Sequence, residues 1–273
     1  MGLHYLRTTE LTAAQRADKY RLYVEAVQNP AADVRFFSAL YEQMNGRPPQ
    51  TIREDFCGTA AISCEWLRHS ESGRAIAIDI DPEPIEWCRA HHVPALTPQQ
   101  ADRLQLIERD VLEGDLPEAD VILAPNTSIC LLRKRADLVR YFSQCRARLL
   151  PGGLFIMDLY AGPEAQRSGK ERLPGVACVG IWEQASFNSI TNEAVNRIHF
   201  EFADASRLND AFVFEMRMWS PAELIDALAE VGFRSTCTYK RSADYSLQDQ
   251  AALHLVEQIE VFGCWELYIV GAA

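Results

Sequence analysis

Apolar positions in the first part of the chain recur at helical spacing. Phe37, Leu40, Tyr41 and Met44 fall at i, i+3, i+4 and i+7 within a helical pattern running from Glu10 to Met44, and Asn29-Pro30 divides it into two helices. Gly46-Arg47-Pro48-Pro49 ends this segment. Apolar runs of strand length then alternate with helical stretches: Thr51 to Phe56, Ala75 to Ile80, Leu104 to Glu108, Val121 to Ala124 and Leu154 to Leu159. Such a rhythm predicts a parallel sheet with helices on both faces. Between the fourth and fifth runs, Leu138, Phe142, Cys145 and Leu149 sit at helical spacing, and Pro151-Gly152-Gly153 stops that helix.

Residues 161–215 change character. After a stretch containing Gly and Pro, Val176 to Phe187, Val195 to Phe202 and Phe212 to Met218 alternate as strands, which predicts an antiparallel insertion. The αβ rhythm returns at Ser220-Pro221-Ala222-Glu223, where Ser caps a helix, Pro takes its first position and Glu completes a capping box. Leu224, Ile225 and Leu228 form its buried face, Gly232 ends it, and Arg234 to Lys240 and Trp265 to Val270 supply two last strands.

Composition narrows the function classes. The 273 residues are 48% hydrophobic and 24% charged, ordinary for a globular chain with a full core. A net charge of −11 opposes non-specific attraction to a phosphate backbone, so nucleic acid is a disfavoured partner. No apolar stretch reaches the roughly 20 residues that span a bilayer, and MGLHYLRTTE lacks the apolar core of a signal peptide, so the expected location is cytoplasmic and no membrane partner is expected. The eight cysteines form no CxxC pair and no zinc-spaced cluster with His; they read as reduced, mostly buried thiols, and no metal is expected.

The chemistry concentrates in Thr51-Ile-Arg-Glu-Asp-Phe-Cys-Gly-Thr-Ala60, where a Cys-Gly-Thr turn lies between an apolar strand and a helix beginning near Ala60. A helix start offers free N–H groups and a positive dipole end to an anionic group. The next strand ends in Ala77-Ile78-Asp79-Ile80-Asp81, and an acid at the end of the second strand is placed to bind two ribose hydroxyls, which makes Asp79 the candidate. Asp81, followed by Pro82, reads as a helix cap.

These residues resemble the first motif of the class I S-adenosylmethionine-dependent methyltransferases, an acid, any residue, then Gly-x-Gly-x-Gly. Glu54-Asp55-Phe56-Cys57-Gly58-Thr59-Ala60 keeps only the middle glycine, with Phe56 and Ala60 in place of the outer two. The resemblance extends over roughly residues 51 to 160 and 216 to 271: Asp120-Val-Ile-Leu-Ala-Pro-Asn126 is similar to the family's fourth strand, Arg148-Leu-Leu-Pro-Gly-Gly-Leu-Phe-Ile-Met-Asp158 to the approach to its fifth, and Trp219 to Phe233 to the helix before the sixth strand in small-molecule members. It implies a Rossmann-like α/β fold with a doubly wound, mostly parallel seven-stranded sheet. The resemblance implies that residues 1–50 form an N-terminal helical lid, 51–160 the S-adenosylmethionine-binding core, 161–215 an antiparallel insertion on the acceptor side, and 216–273 the rest of the core sheet. It also implies a cofactor site made of Glu54, Phe56, Cys57, Gly58, Thr59 and Ala60 in the turn, Asp79 with Ile80 on the ribose, Asp110 with Val111 at the adenine, Asn126 facing the methyl group, and Tyr20 from the lid.

The resemblance implies methyl transfer from S-adenosyl-L-methionine to a small-molecule acceptor by in-line displacement, in a monomer or homodimer. A protein methyltransferase and a non-catalytic cofactor-binding module are the alternatives. A nicotinamide oxidoreductase needs Gly-x-Gly-x-x-Gly after the first strand, which is missing. Because the sulfonium is already activated, alignment matters more than a general base. His199, as the residue type suited to proton transfer near neutral pH, and Tyr160, after the fifth strand, are the candidate catalytic residues. Asn126, Thr127 and Ser128 either line the acceptor pocket or make loop hydrogen bonds. In the insertion, Arg197, His199 and Glu201 alternate with Ile198, Phe200 and Phe202, so one face is polar, serving either as a solvated face laced by cross-strand ion pairs or as an acceptor site.

Overall fold

The computed structural model describes residues 11–174, 178–241, 255–259 and 263–273. The predicted helix start at Glu10, the signal-peptide reading of the first ten residues and the predicted strand start at Val176 lie outside the described residues. The N-terminal segment forms three helices rather than two: α1 (Ala13–Arg16), α2 (Lys19–Val27) and α3 (Pro30–Asn45). The extra break arises at Ala17-Asp18, where the Asp18 side chain accepts from the N–H groups of Tyr20 and Arg21 and so starts a new helix. Asn29 caps α3 with Pro30 behind it, and Gly46, left-handed at φ 68°, ends it.

The core follows as β1 (Thr51–Asp55), α4 (Ala61–His69), β2 (Arg74–Asp79), α5 (Pro82–His91), α6 (Pro98–Ala101), β3 (Leu104–Glu108), β4 (Ala119–Ala124), α7 (Arg135–Arg148) and β5 (Leu149–Ala161). An insertion of four strands comes next: β6 (Gly169–Pro174), β7 (Val179–Asn188), β8 (Glu193–Glu201) and β9 (Arg207–Arg217). The core is completed by α8 (Pro221–Glu230), β10 (Ser235–Lys240) and β11 (Trp265–Ala272). The seven core strands lie in the order β10-β11-β5-β4-β1-β2-β3, parallel except for β11, which runs antiparallel to both neighbours. The expected doubly wound sheet is therefore present, and so is the antiparallel insertion, an ordered β6-β7-β8-β9 sheet. Strand β6 was not foreseen because Gly-Lys-Glu-Arg-Leu-Pro carries no apolar alternation.

The insertion puts Ala194, Ile198 and Phe200 inward, with Ile198 and Phe200 packed on Leu22 of α2. Its outer face carries cross-strand ion pairs, Arg197 to Asp210 at 3.0 Å and Arg172 to Glu201 at 3.0 Å, so the polar face is an ion-paired one.

Strand β1, between β2 and β4, is covered on both faces, yet three of its five residues are charged and none of the three is more than 1% exposed. Arg53 and Asp55 point to one side, where the guanidinium Nε and Nη2 donate to the carboxylate at 2.9 Å each and Tyr141 of α7 adds a hydroxyl at 2.8 Å. Glu54 points to the other side and accepts from both the N–H and the hydroxyl of Ser63 on α4, at 2.8 and 2.6 Å. Asp120, at the foot of the sheet, accepts from Tyr41, Arg47 and the N–H groups of Gln50 and Thr51, which fixes where α3 gives way to β1. Those donors hold its carboxyl below the usual range despite the burial that opposes ionisation.

A buried ion pair broken from one side leaves the other charge stranded. Asp55→Ala is expected to cost about 3 to 5 kcal/mol in urea unfolding. A loss below about 1 kcal/mol would show that Arg53 finds another partner.

Candidate active site

The carboxyl ends of β1, β2, β4 and β5 open onto one crevice, the usual place for a ligand in an open α/β sheet. Its first element is the turn from β1 to α4. Phe56, Gly58 and Ala60 have φ of 56°, 51° and 54°. The left-handed backbone that glycines adopt freely is thus kept at two side-chain-bearing positions, at a cost of about 1 to 2 kcal/mol each. Phe56 recovers part of this by packing edge-on against Tyr141, with ring centroids 5.5 Å apart.

Asp79 at the end of β2 closes the turn. One carboxylate oxygen accepts from the N–H of Gly58 at 2.7 Å and the other from the N–H of Asp81 at 2.9 Å. A carboxylate with one such donor on each oxygen keeps capacity to accept further donors, and Asp79 lines the crevice. Burial raises the Asp79 pKa, opposed by those backbone donors. Beside it Ile80 is 66% exposed, an apolar side chain left facing the opening.

Helix α2 crosses this opening. On one side Trp87 of α5 donates its indole N–H to Asp18 at 2.7 Å and Lys19 pairs with Glu83 at 3.0 Å; on the other Tyr20 and Tyr23 meet Phe212 of β9 with ring centroids 5.7 and 4.8 Å apart. The enclosed cleft measures about 410 Å³. It is lined by Tyr20, Phe56, Cys57, Gly58 and Thr59, together with Asp79, Ile80 and Asn126. Cys57 is buried, which pushes its thiol well up, so it packs the turn as a neutral group.

Four of the expected cofactor residues do not reach this surface. Ala60 is fully buried at the head of α4, and Glu54 is turned into the interior toward Ser63. Asp110 folds its carboxylate onto the N–H of Leu112 at 2.8 Å, and Val111 is packed into the core below.

Beyond β4, Asn126 and Thr127 are consecutive left-handed residues, at φ 58° and 56°. For a β-branched threonine this is a strained conformation. It is held by Asp158 of β5, which accepts from the Thr127 N–H, and by the Thr127 hydroxyl, which accepts from the Tyr160 N–H at 3.2 Å. The loop so formed is the partition between the cleft and a second cavity of about 280 Å³. Tyr23, Asn126, Ser128, Leu131 and Phe214 line both.

The second cavity runs between the inner face of the insertion and the ends of β5 and β11. Tyr160 lines it, with burial pushing its phenol up. Sequence reasoning missed Asn196 and Trp182 of the insertion and Arg241 after β10, which line it too. The pattern of β8 held one signal: Asn196 is a lone polar residue on the face that also carries Ala194, Ile198 and Phe200.

His199 lies elsewhere and lines neither cavity. Its Nδ1 accepts from the Asp210 N–H at 2.9 Å, which leaves the proton on Nε2, donated to Glu183 at 2.8 Å. With both nitrogens engaged on the outer face of the insertion, it has no route to a reacting atom, and the expectation of a catalytic role does not fit the geometry.

Residues 57–155 match the family described as a methyltransferase domain. No curated protein matches the sequence. Among solved structures, an S-adenosylmethionine-dependent methyltransferase from Clostridium acetobutylicum superposes with a TM-score of 0.65 at 15% identity, covering 93% of this chain and 96% of that one. DesVI from Streptomyces venezuelae gives 0.67 at 13% identity, covering 93% and 98%. CalS10, an amino pentose methyltransferase from Micromonospora echinaspora, gives 0.64 at 13% identity, covering 94% and 98%. At such identities the likeness is one of fold.

Glu54 provides a test of the turn's support. Burial lifts its pKa from the ordinary 4.5 to about 7, against the two Ser63 hydrogen bonds that lower it. A carboxyl raised on folding binds protons more tightly in the native state, so its contribution is complete below about pH 4.5 and is lost as pH rises through about 7. The loss amounts to about 3 kcal/mol. Glu54→Gln, which mimics the neutral acid, is expected to flatten the fall in unfolding free energy between about pH 5 and about pH 8. A variant with the wild-type slope would contradict this.

Proposed function

We propose that this chain is a class I S-adenosylmethionine-dependent methyltransferase, a reading supported by the methyltransferase-domain match over residues 57–155, and that it transfers the methyl group by in-line displacement to a small molecule held in the second cavity. The observation that carries this reading is the shared wall: the nucleoside-sized cleft and the smaller cavity meet at Tyr23, Asn126, Ser128, Leu131 and Phe214. A reacting pair placed one in each would face across that wall.

The cleft fits the cofactor on its own features. Asp79 offers free lone pairs to the two ribose hydroxyls, exposed Ile80 offers an apolar surface to the adenine ring, and Gly58, with open space where a Cβ would stand, lets a ligand approach the turn. Tyr20 and Tyr23 of α2 cover it. When bound, S-adenosylmethionine supplies a methyl carbon already activated by its sulfonium. The residues of the chain then align the acceptor and exclude water, and alignment of this kind is worth about 7 to 11 kcal/mol of barrier. Tyr160 serves as a wall of the acceptor cavity rather than as a base, since burial disfavours its phenolate.

A cavity of about 280 Å³ suits a small molecule better than a folded protein surface. The amino pentose named for CalS10 supports an acceptor of that size class. Incubation with methyl-labelled S-adenosylmethionine and a metabolite extract is expected to place label in small molecules. Label confined to protein would favour a protein acceptor, and no label at all would favour a binding module without turnover. Asp79→Ala is expected to weaken S-adenosylmethionine binding by about 1.5 to 3 kcal/mol in calorimetry. Unchanged affinity would refute the ribose assignment.

A further inference from the structure

Two side-chain oxygens in the lining of the acceptor cavity have no partner among the described residues. Asn196 is fully buried in the middle of the insertion's inner face; its amide N–H₂ donates to the Met216 sulfur at 3.4 Å, and its Oδ1 has no partner among the described residues. A buried carbonyl oxygen left without a donor is costly, which points to a donor arriving with the ligand. Asn126, on the shared wall, likewise has an unpartnered Oδ1. Glu171 of β6 and Glu266 of β11 add two carboxylates to the same lining.

Arg241 lines the cavity as well, but its guanidinium is spent. Nε donates to the Tyr268 hydroxyl at 3.2 Å, Nη1 pairs with Asp158 at 2.9 Å and Glu266 at 3.2 Å, and Nη2 reaches Asp33 at 3.2 Å. Among the described residues that line the cavity, Arg241 is the one cation against the carboxylates of Glu171 and Glu266, so the lining keeps a negative excess. Tyr23 and Trp182 supply aromatic walls suited to a cation.

We propose that the acceptor is an amine, drawn in as its ammonium form by the carboxylates of Glu171 and Glu266 and by the free side-chain oxygen of Asn196. This rests on the methyltransferase reading. A carboxylate acceptor would bring no donor to the Asn196 oxygen and would face the Glu171 carboxylate, and an alcohol would leave that charge unanswered. For reaction, the ammonium gives one proton to the Glu171 or Glu266 carboxylate. The nitrogen lone pair then forms the new N–C bond while the methyl–sulfur bond breaks toward sulfur, so the products are an N-methylammonium and a neutral thioether.

The test is a binding comparison on the full chain with three probes of one skeleton: cyclohexylammonium, cyclohexanol and cyclohexanecarboxylate. The ammonium is expected to bind about tenfold more tightly than the alcohol, with the carboxylate weakest. In a Glu171→Gln, Glu266→Gln double variant, whose changes lie at exposed or half-exposed side chains, the preference is expected to fall to about threefold or less. Equal binding of ammonium and alcohol, binding of no probe, or a preference unchanged in the variant would overturn the proposal. Titrating the same protein with S-adenosylhomocysteine separates the two claims: no binding of that nucleoside sinks the methyltransferase reading, whereas its binding without an ammonium preference sinks the amine assignment alone.

Discussion

A charged strand at the centre of a buried sheet sets the terms for the rest of the molecule. Arg53, Glu54 and Asp55 are shut away from water on both faces of β1, and each must find its partner within the fold. Arg53 and Asp55 satisfy one another and recruit Tyr141, tying α7 to one face, while Glu54 takes Ser63 and ties α4 to the other. Both ends of the turn between β1 and α4 are thereby anchored. That anchoring lets Phe56 and Ala60 hold a left-handed backbone where glycine would ordinarily be needed. The cleft is shaped by hydrogen bonds made behind it.

A second buried network does the same for the second cavity. Asp158 holds the strained Thr127 with one oxygen and Arg241 with the other, and Arg241 in turn binds Asp33 of α3 and Glu266 of β11. Tyr268 donates to Asp33 and stacks on Phe36 with ring centroids 3.9 Å apart. The N-terminal helices, the partition between the cavities and the last strand of the sheet are therefore fixed by one set of charges.

The sheet was legible because its strands are apolar runs bounded by turns and caps, and the helix from Pro221 to Glu230 because Ser220 and Glu223 form the capping box they spell. The place of Asp79 at the end of β2, beside the turn and in the cleft lining, was legible for the same reason: position at a strand end constrains where an acid lies. Asp110 shared that logic but not that outcome, since the nearest donor for its carboxylate is the Leu112 N–H. His199 is a candidate by residue type alone, and sequence carries no sign that Glu183 and the Asp210 N–H occupy both its nitrogens. Arg241 and Asn196 were invisible as site residues because they come from separate segments that only the closed sheet and the folded insertion bring together. The solvated, ion-paired reading of the insertion's polar face followed from strand alternation, which needs no tertiary information.

The central claim is that cofactor and acceptor sit in two cavities that share one wall. A crystal structure of the complex with S-adenosylhomocysteine tests it most directly. The account predicts the ribose hydroxyls on Asp79, the adenine against Ile80 and the sulfur at the wall formed by Tyr23, Asn126 and Phe214. A nucleoside bound outside the cleft, or with its sulfur turned away from that wall, would contradict it.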